Sequence, residues 1–114
     1  MASNIAILQN DPARARNLEA SVRRFSKSVF TVRSLSELRS LAATSAIRVC
    51  VADLDIVNFQ EVAHLRRQLG IEIVCTHHAP DDFMWTEALG AGAIDCCYDD
   101  DAPSICQAIQ KIAA

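Results

Sequence analysis

The sequence predicts an α/β fold in which five parallel strands form a sheet with helices on both faces. Short apolar runs alternate five times with segments whose apolar residues recur at helical spacing. The connections between these segments are short, and 114 residues are enough for one domain with an ordinary core. Strands that alternate with helices at this period pair in parallel through right-handed crossovers, so we expect a three-layer α/β/α sandwich.

Each element is justified by its own start, stop or apolar pattern. Asp11 before Pro12 is typical of a helix N-terminus, and Ser34 with Glu37 has the spacing of a capping box. Gly70 is a helix stop, and short β-branched runs bounded by charge indicate buried strands. The predicted strands cover 5–8, 28–32, 48–53, 71–76 and 93–98, and the predicted helices begin at Pro12 (ending near Phe25), Leu35, Phe59, Asp81 and Pro103.

Five strands in a chain of this length fit the flavodoxin-like strand order 2-1-3-4-5. The turn at 9–12 contains no glycine-rich phosphate loop, so we expect no nucleotide or other cofactor. No apolar run approaches the roughly 20 residues of a membrane span, and the N-terminus lacks the pattern of a signal peptide. We therefore expect a cytoplasmic domain with no membrane contact.

The five cysteines are an odd number in a chain that is 51% hydrophobic, which argues against a secreted disulfide framework. We expect most of them to be reduced and buried. Cys96 and Cys97 are neighbours on a predicted strand, so their side chains point to opposite faces and cannot easily form a disulfide. This favours two packing residues over a redox sensor.

The net charge of −3 is unevenly distributed along the chain. Through Arg48 there are eight basic and three acidic residues, a net charge of +5, and the remainder has three basic and eleven acidic residues, a net charge of −8. Such polarity suits either a docking face or an ordinary solvated surface. The domain is acidic overall and no helix shows a recognition pattern, so we expect no direct contact with nucleic acid.

The sequence resembles the receiver domain of two-component response regulators over essentially its whole length. Residues 5–12 resemble the first strand and acidic turn of that family, and 51–56 resemble its phosphoacceptor segment. Residues 88–93 resemble the end of the fourth helix, and 101–103 resemble the start of the fifth. The resemblance places Asp53, where the third strand ends, at the phosphoacceptor position.

The groups that assist phosphoryl transfer in this family are mostly replaced. The acidic pair that holds a divalent cation matches the neutral residues Gln9 and Asn10, while Asp11 lies one step beyond. A count back from Gly92 without a gap places His77 at the position of the hydroxyl residue, and Thr76 fills it only with a one-residue slip. Magnesium prefers carboxylate ligands, so the resemblance implies a degenerate site.

The lysine and the aromatic switch residue of the family are also replaced. The same count places Asp99 at the lysine position, which would put a second carboxylate opposite Asp53, and Cys96 at the aromatic position. The switch positions are therefore His77 and Cys96. The expected degenerate acidic pocket around Asp53 consists of Gln9, Asn10, Asp11, Asp55, His77 and Asp99.

These departures predict a pseudo-receiver, a non-enzymatic signalling module that acts without orthodox aspartyl phosphorylation. One alternative is a response-regulator receiver that accepts a phosphoryl group on Asp53. A second is a metal- or redox-sensing domain that uses His77, Asp99 and nearby cysteines, and pH sensing through His77 or His78 is a third. The candidate ligands of the metal site share one sheet edge and suit zinc better than magnesium: Asp53, Asp55, His77, His78, Asp99, Cys75 and Cys97. The favoured interpretation includes no resident metal.

A surface of the last elements is the expected place of interaction. In receivers the fourth helix, fifth strand and fifth helix commonly form the contact with a second copy or an output domain. Trp85 with Cys106 or Gln107 is the predicted surface here, since tryptophan is enriched at interface hot spots. We expect residues 1–114 to form one domain, suited to the N-terminal regulatory part of a longer protein such as a transcription regulator, and to form a homodimer through this surface.

Overall fold

The computed structural model of the protein describes residues 4–113 and confirms the predicted architecture. Its elements are β1 (Asn4–Leu8), α1 (Pro12–Val22), β2 (Val29–Val32), α2 (Leu35–Thr44), β3 (Ile47–Asp53), α3 (Phe59–Leu69), β4 (Glu72–His77), α4 (Asp82–Gly90), β5 (Asp95–Tyr98) and α5 (Ala102–Ala113). The strands form one parallel sheet in the order β2-β1-β3-β4-β5, as predicted. None of the described helices is long and apolar enough to cross a bilayer.

Two apolar layers cover the sheet. Leu38 of α2 and Leu65 of α3 belong to one core, which α4 completes. Leu18 of α1 and Ile105 of α5 belong to the core on the opposite face. Successive residues of each strand alternate between these layers, so β3 is buried on both sides and its last residue, Asp53, is held in a fixed position.

The predicted helix starts are present, with one change of partner. The Asp11 carboxylate accepts hydrogen bonds from the backbone at the first turn of α1, and Ser34 Oγ accepts from the Glu37 N–H at 3.1 Å. The Glu37 carboxylate reaches one residue further back than a capping box requires and accepts from the Arg33 N–H at 2.9 Å. At the end of α3, Gly70 adopts the left-handed conformation with φ 65°, which stops the helix.

The first helix ends at Val22 and not near Phe25 as predicted. The Phe25 N–H donates to the Val22 carbonyl at 2.9 Å in a tighter turn. Ser26 Oγ then accepts the Ser28 N–H at 3.0 Å, and this local bond competes with further helix and directs the chain into β2. Apolar spacing alone could not show this, because the competing hydrogen bond is made by a polar side chain.

The register of the sheet brings the polar residues together at one edge. Leu8 of β1 is level with Ala52 of β3, and Asp53 is level with Thr76 of β4. In a parallel sheet the carboxyl ends of all strands meet at the same edge, which is where α/β proteins bind ligands. The residues at or just beyond these ends are Gln9, Asp53, His77 and Asp99.

Candidate functional site

The carboxylate of Asp53 is the centre of the candidate site. The residue is only 3% exposed. Its Oδ2 accepts a hydrogen bond from Gln9 Nε2 at 2.7 Å, and its Oδ1 accepts the backbone N–H of Asp55 at 2.8 Å. Both donors are neutral, so hydrogen bonds to the chain stabilise the buried charge of Asp53.

The amide of Gln9 is held at both of its ends. Its Oε1 accepts the backbone N–H groups of Asn10 and Asp11, each at 3.1 Å, and this orientation directs Nε2 toward Asp53. The Asn10 residue is exposed, and the Asp11 carboxylate accepts the N–H groups of Ala13 and Arg14 as the N-cap of α1. The positions of the acidic pair therefore present a hydrogen-bond donor to Asp53 where a metal site needs carboxylate oxygens.

Asp99 is paired with an arginine that the sequence analysis did not identify. Its Oδ2 lies 3.0 Å from Arg14 Nη1, and Asp99 is 5% exposed. Arg14 lies in the first turn of α1, whose N-terminus is at the same sheet edge as the end of β5. The carboxylate at the lysine position is thus neutralised within the fold, and the pair of side chains contributes no net charge to the pocket.

Thr76, and not His77, is level with Asp53 in the sheet. Thr76 is level with Asp53 in the register of β3 and β4, so the two side chains lie on the same face of the sheet, and Thr76 is buried. His77 follows on the opposite face and lies beside Asp55. The register therefore favours Thr76, the residue of the one-residue slip, over His77 for the place beside Asp53.

His77, His78 and Asp55 form a cluster at the ends of β3 and β4. His77 Nε2 lies 3.5 Å from Asp55 Oδ1, and His78 Nδ1 lies 3.7 Å from Asp55 Oδ2. The two imidazole rings have centroids 4.1 Å apart. Of the residues expected at a metal site, the structure brings Asp55, His77 and His78 together and leaves Asp99 with Arg14.

The strand cysteines are divided between the two cores. Cys50, Cys75 and Cys96 lie in the core on the α2, α3 and α4 side, and Cys97 lies in the other, as strand alternation predicts. Loss of solvation on burial raises the pKa of Cys96 to about 11 and the pKa values of Cys50 and Cys97 to about 12, and it also raises the pKa of Cys75. These thiols are protonated at neutral pH, which makes them poor nucleophiles and poor metal ligands.

We expect the native protein to resist alkylation at pH 8. Iodoacetamide should add slowly at the half-buried Cys106, whose pKa burial also raises, and not at the four strand cysteines, whereas all five should react in denaturant. Intact-mass spectrometry after timed quenching measures the number of adducts. Cys106→Ser is the matched control and should remove the slow native adduct. Rapid modification of Cys96 or Cys97 in the native protein would contradict their description as buried packing residues and would support the redox interpretation.

Exposed aromatic residues lie near the predicted interaction surface. Trp85 is 48% exposed, and its Nε1 donates to Asp95 Oδ1 at 3.1 Å. Phe83 and Tyr98 are also exposed, and Trp85 and Tyr98 line one shallow depression together with Ser104 of α5. Trp85, Tyr98 and Ser104 share the side of the molecule formed by α4, β5 and the start of α5. Phe83 lies two residues before Trp85 on α4, about 200° around the helix, and does not line this depression.

Cys106 does not share this side with Trp85. Its Sγ lies 3.9 Å from the carbonyl oxygen of Ser21 in α1, so it belongs to the contact between α1 and α5. Gln107 is exposed on α5. Successive helix residues are rotated by about 100°, which is why neighbours in sequence occupy different flanks of α5. Ser104 of α5 lines the depression with Trp85, and neither Cys106 nor Gln107 does.

The strand order, the helices on both faces and the buried aspartate at the end of β3 define a receiver fold. Solved structures that resemble the chain include response-regulator domains. A response regulator from Thermotoga maritima matches with a TM-score of 0.88 at 10% identity, over 98% of each chain. No protein-family model matches the sequence, and no curated protein matches it.

Two further structures show the same likeness. The signal receiver domain of a DNA-binding response regulator from Colwellia psychrerythraea 34H has a TM-score of 0.83 at 16% identity, with 97% of this chain and 98% of that chain covered. An orphan response regulator of H. pylori has a TM-score of 0.84 at 11% identity, with 98% and 97% covered. At such identities the likeness establishes the fold, and the function has to be argued from the site.

Proposed function

We propose that the domain is a non-enzymatic signalling module that acts independently of aspartyl phosphorylation. The observation that carries this proposal is the 2.7 Å hydrogen bond from Gln9 Nε2 to Asp53 Oδ2. A neutral donor thereby occupies the side of Asp53 on which a cation-binding carboxylate would be needed. In these terms the domain is a pseudo-receiver within the response-regulator family.

The physical reason lies in the charge that phosphoryl transfer has to overcome. An anionic donor must approach the anionic Asp53, and both need a cation to stabilise the transition state. Gln9 and Asn10 offer no carboxylate for magnesium, and the guanidinium of Arg14 is already paired with Asp99. The pocket therefore stabilises the unmodified carboxylate better than a phosphorylated one.

A phosphorylatable receiver remains the second candidate because of Thr76. A hydroxyl residue that is buried and level with Asp53 is what the family resemblance implies for the residue that follows the phosphoryl group. This candidate requires magnesium to bind in spite of the Gln9 amide. The two candidates therefore differ in one measurable property, the magnesium-dependent modification of Asp53.

We expect no phosphoryl group on Asp53 when the protein is incubated with Mg²⁺ and acetyl phosphate. Intact-mass spectrometry detects the adduct, and Asp53→Asn provides the blank. The matched variant Gln9→Asp with Asn10→Asp restores the acidic pair and should gain magnesium-dependent phosphorylation. A stoichiometric adduct on the unmodified sequence that Asp53→Asn abolishes would establish the phosphorylatable receiver instead.

The proposed mode of action is docking through the side that carries Trp85 and Tyr98. Exposed aromatic residues beside carboxylates are typical of recognition surfaces, and the occupant is a partner protein, an output domain or a second copy. We propose that the domain serves as the N-terminal regulatory part of a longer protein. The free cysteines suit the reducing cytoplasm, which is where we place the module.

A further inference from the structure

The cluster of Asp55, His77 and His78 has the composition and spacing of a metal site. One carboxylate oxygen and one nitrogen from each imidazole lie within 4.8 Å of one another. We propose that this cluster binds Zn²⁺. The inference does not depend on the signalling proposal, and it uses neither Asp53 nor any cysteine.

The backbone explains why two adjacent histidines face the same point. Neighbouring residues of a strand point to opposite faces, but β4 ends at His77 and the chain bends at His78. The two rings consequently lie against each other with an interplanar angle of 32°. Asp55 reaches them from the turn after β3, and its N–H bond to Asp53 fixes that turn. The three ligands thus come from two neighbouring strand ends that the sheet holds in register.

The observed distances are close to those of a tetrahedral zinc centre. Ligand atoms about 2.0–2.1 Å from a tetrahedral ion are separated from each other by about 3.3 Å. His77 Nε2 lies 3.5 Å from Asp55 Oδ1 and His78 Nδ1 lies 3.7 Å from Asp55 Oδ2. One ligand atom from each residue already lies within 4.8 Å of the others, so side-chain rotations can bring both nitrogens and one carboxylate oxygen within bonding distance of one ion. Imidazole and carboxylate suit zinc better than magnesium. His78 and Asp55 have side chains that are 56% exposed, which leaves water a fourth position and gives the ion access.

The hydrogen bonding of His77 supplies a second, local signature of binding. Its Nδ1 accepts the Ala79 N–H at 3.0 Å, so in the metal-free protein the ring proton is on Nε2, which faces Asp55. Coordination through Nε2 transfers this proton to Nδ1 by way of water, and the Ala79 N–H then has to turn to solvent. Ala79 is exposed, so water replaces the lost bond. The Ala79 amide should therefore report the arrival of the ion.

Calorimetric titration of the tag-free protein with ZnCl₂ tests the site. We expect one equivalent to bind, with affinity reduced about tenfold or more in His78→Ala and in Asp55→Asn, since each removes one ligand. His64→Ala is the matched control, because His64 is an exposed histidine on α3 outside the cluster, and it should bind as the parent does. The ¹⁵N-labelled protein should show a large zinc-dependent shift of the Ala79 amide resonance.

Substitution of Co²⁺ distinguishes this cluster from the cysteines. Tetrahedral cobalt bands without a thiolate charge-transfer band support the proposed ligands. Unchanged zinc affinity in both His78→Ala and Asp55→Asn would overturn the proposal, as would a thiolate band or equal affinity for Mg²⁺. His78 is exposed, so its replacement should leave the melting temperature of the metal-free protein unchanged. None of these outcomes depends on whether Asp53 accepts a phosphoryl group.

Discussion

Replacement of Gln9 by methionine should lower the free energy of unfolding by about 2–4 kcal/mol. Methionine keeps the approximate volume of glutamine but removes the donor to Asp53 Oδ2 and the acceptor of two backbone N–H groups. Asp53 would then be a buried carboxylate with one hydrogen bond fewer. Loss of a hydrogen-bond partner costs more free energy for a buried charged group than for a neutral one. Urea denaturation followed by circular dichroism measures the change.

Two companion variants identify the cause of this loss. Asn10→Ser alters the exposed neighbour and should change the free energy of unfolding by no more than about 0.5 kcal/mol. Gln9→Glu places a carboxylate against Asp53, and the resulting destabilisation should shrink as the pH falls, because the folded variant gains a proton that relieves the repulsion. If Gln9→Met were as stable as the parent, the bond from Gln9 to Asp53 would not be the central contact of the pocket.

Replacement of Asp99 by lysine should destabilise the domain by about 2–4 kcal/mol at neutral pH. The ammonium would occupy a position that is 5% exposed in the native protein and would face the guanidinium of Arg14. Most of the expected loss comes from desolvation of the lysine, since Arg14 is 43% exposed and can turn toward water. Thermal and urea unfolding both measure the effect.

The pairing of Arg14 with Asp99 is tested by exchanging the charges. Arg14→Glu combined with Asp99→Lys restores an attractive pair, and the double variant should recover about 1 kcal/mol relative to the sum of the single changes. Arg16→Glu, at an exposed arginine two residues along α1, is the matched control and should give no recovery. Additive losses in the Arg14 and Asp99 variants would mean that the two side chains do not stabilise each other.

The fold was predictable because its signals are local. Asp11 before Pro12 marks a helix start and Gly70 a helix end to within a few residues. The short apolar segment of β3 indicates a strand that is covered on both faces. The position of Asp53 at the end of that strand followed directly. A short polar side chain in a turn is a weaker signal, and the early end of α1 depended on Ser26, whose local hydrogen bond the apolar pattern does not contain.

The contacts that define the site were not predictable, because the decisive ones join residues that are distant in sequence. Nothing local indicates that Gln9 donates to Asp53 or that Arg14 pairs with a carboxylate at the far end of the chain. The sequence also could not decide between Thr76 and His77 as the residue beside Asp53, for a related reason. A count along the chain assumes loops of fixed length, and only the register between β3 and β4 shows which residue is level with Asp53.

The strand order 2-1-3-4-5 converts the uneven charge of the sequence into an electric dipole. Residues up to Arg48, with a net charge of +5, build β1 and β2 on one side of β3, and the rest, with a net charge of −8, supplies β4 and β5 on the other. The field of such a molecule exerts a torque on a charged partner before contact and weakens as salt screens it. Symmetric pairing through the α4 and β5 side would bring the negative ends of two molecules together. Added salt screens this repulsion, so a homodimer formed there should bind more tightly at higher salt. A cationic partner at the same side should bind less tightly at higher salt.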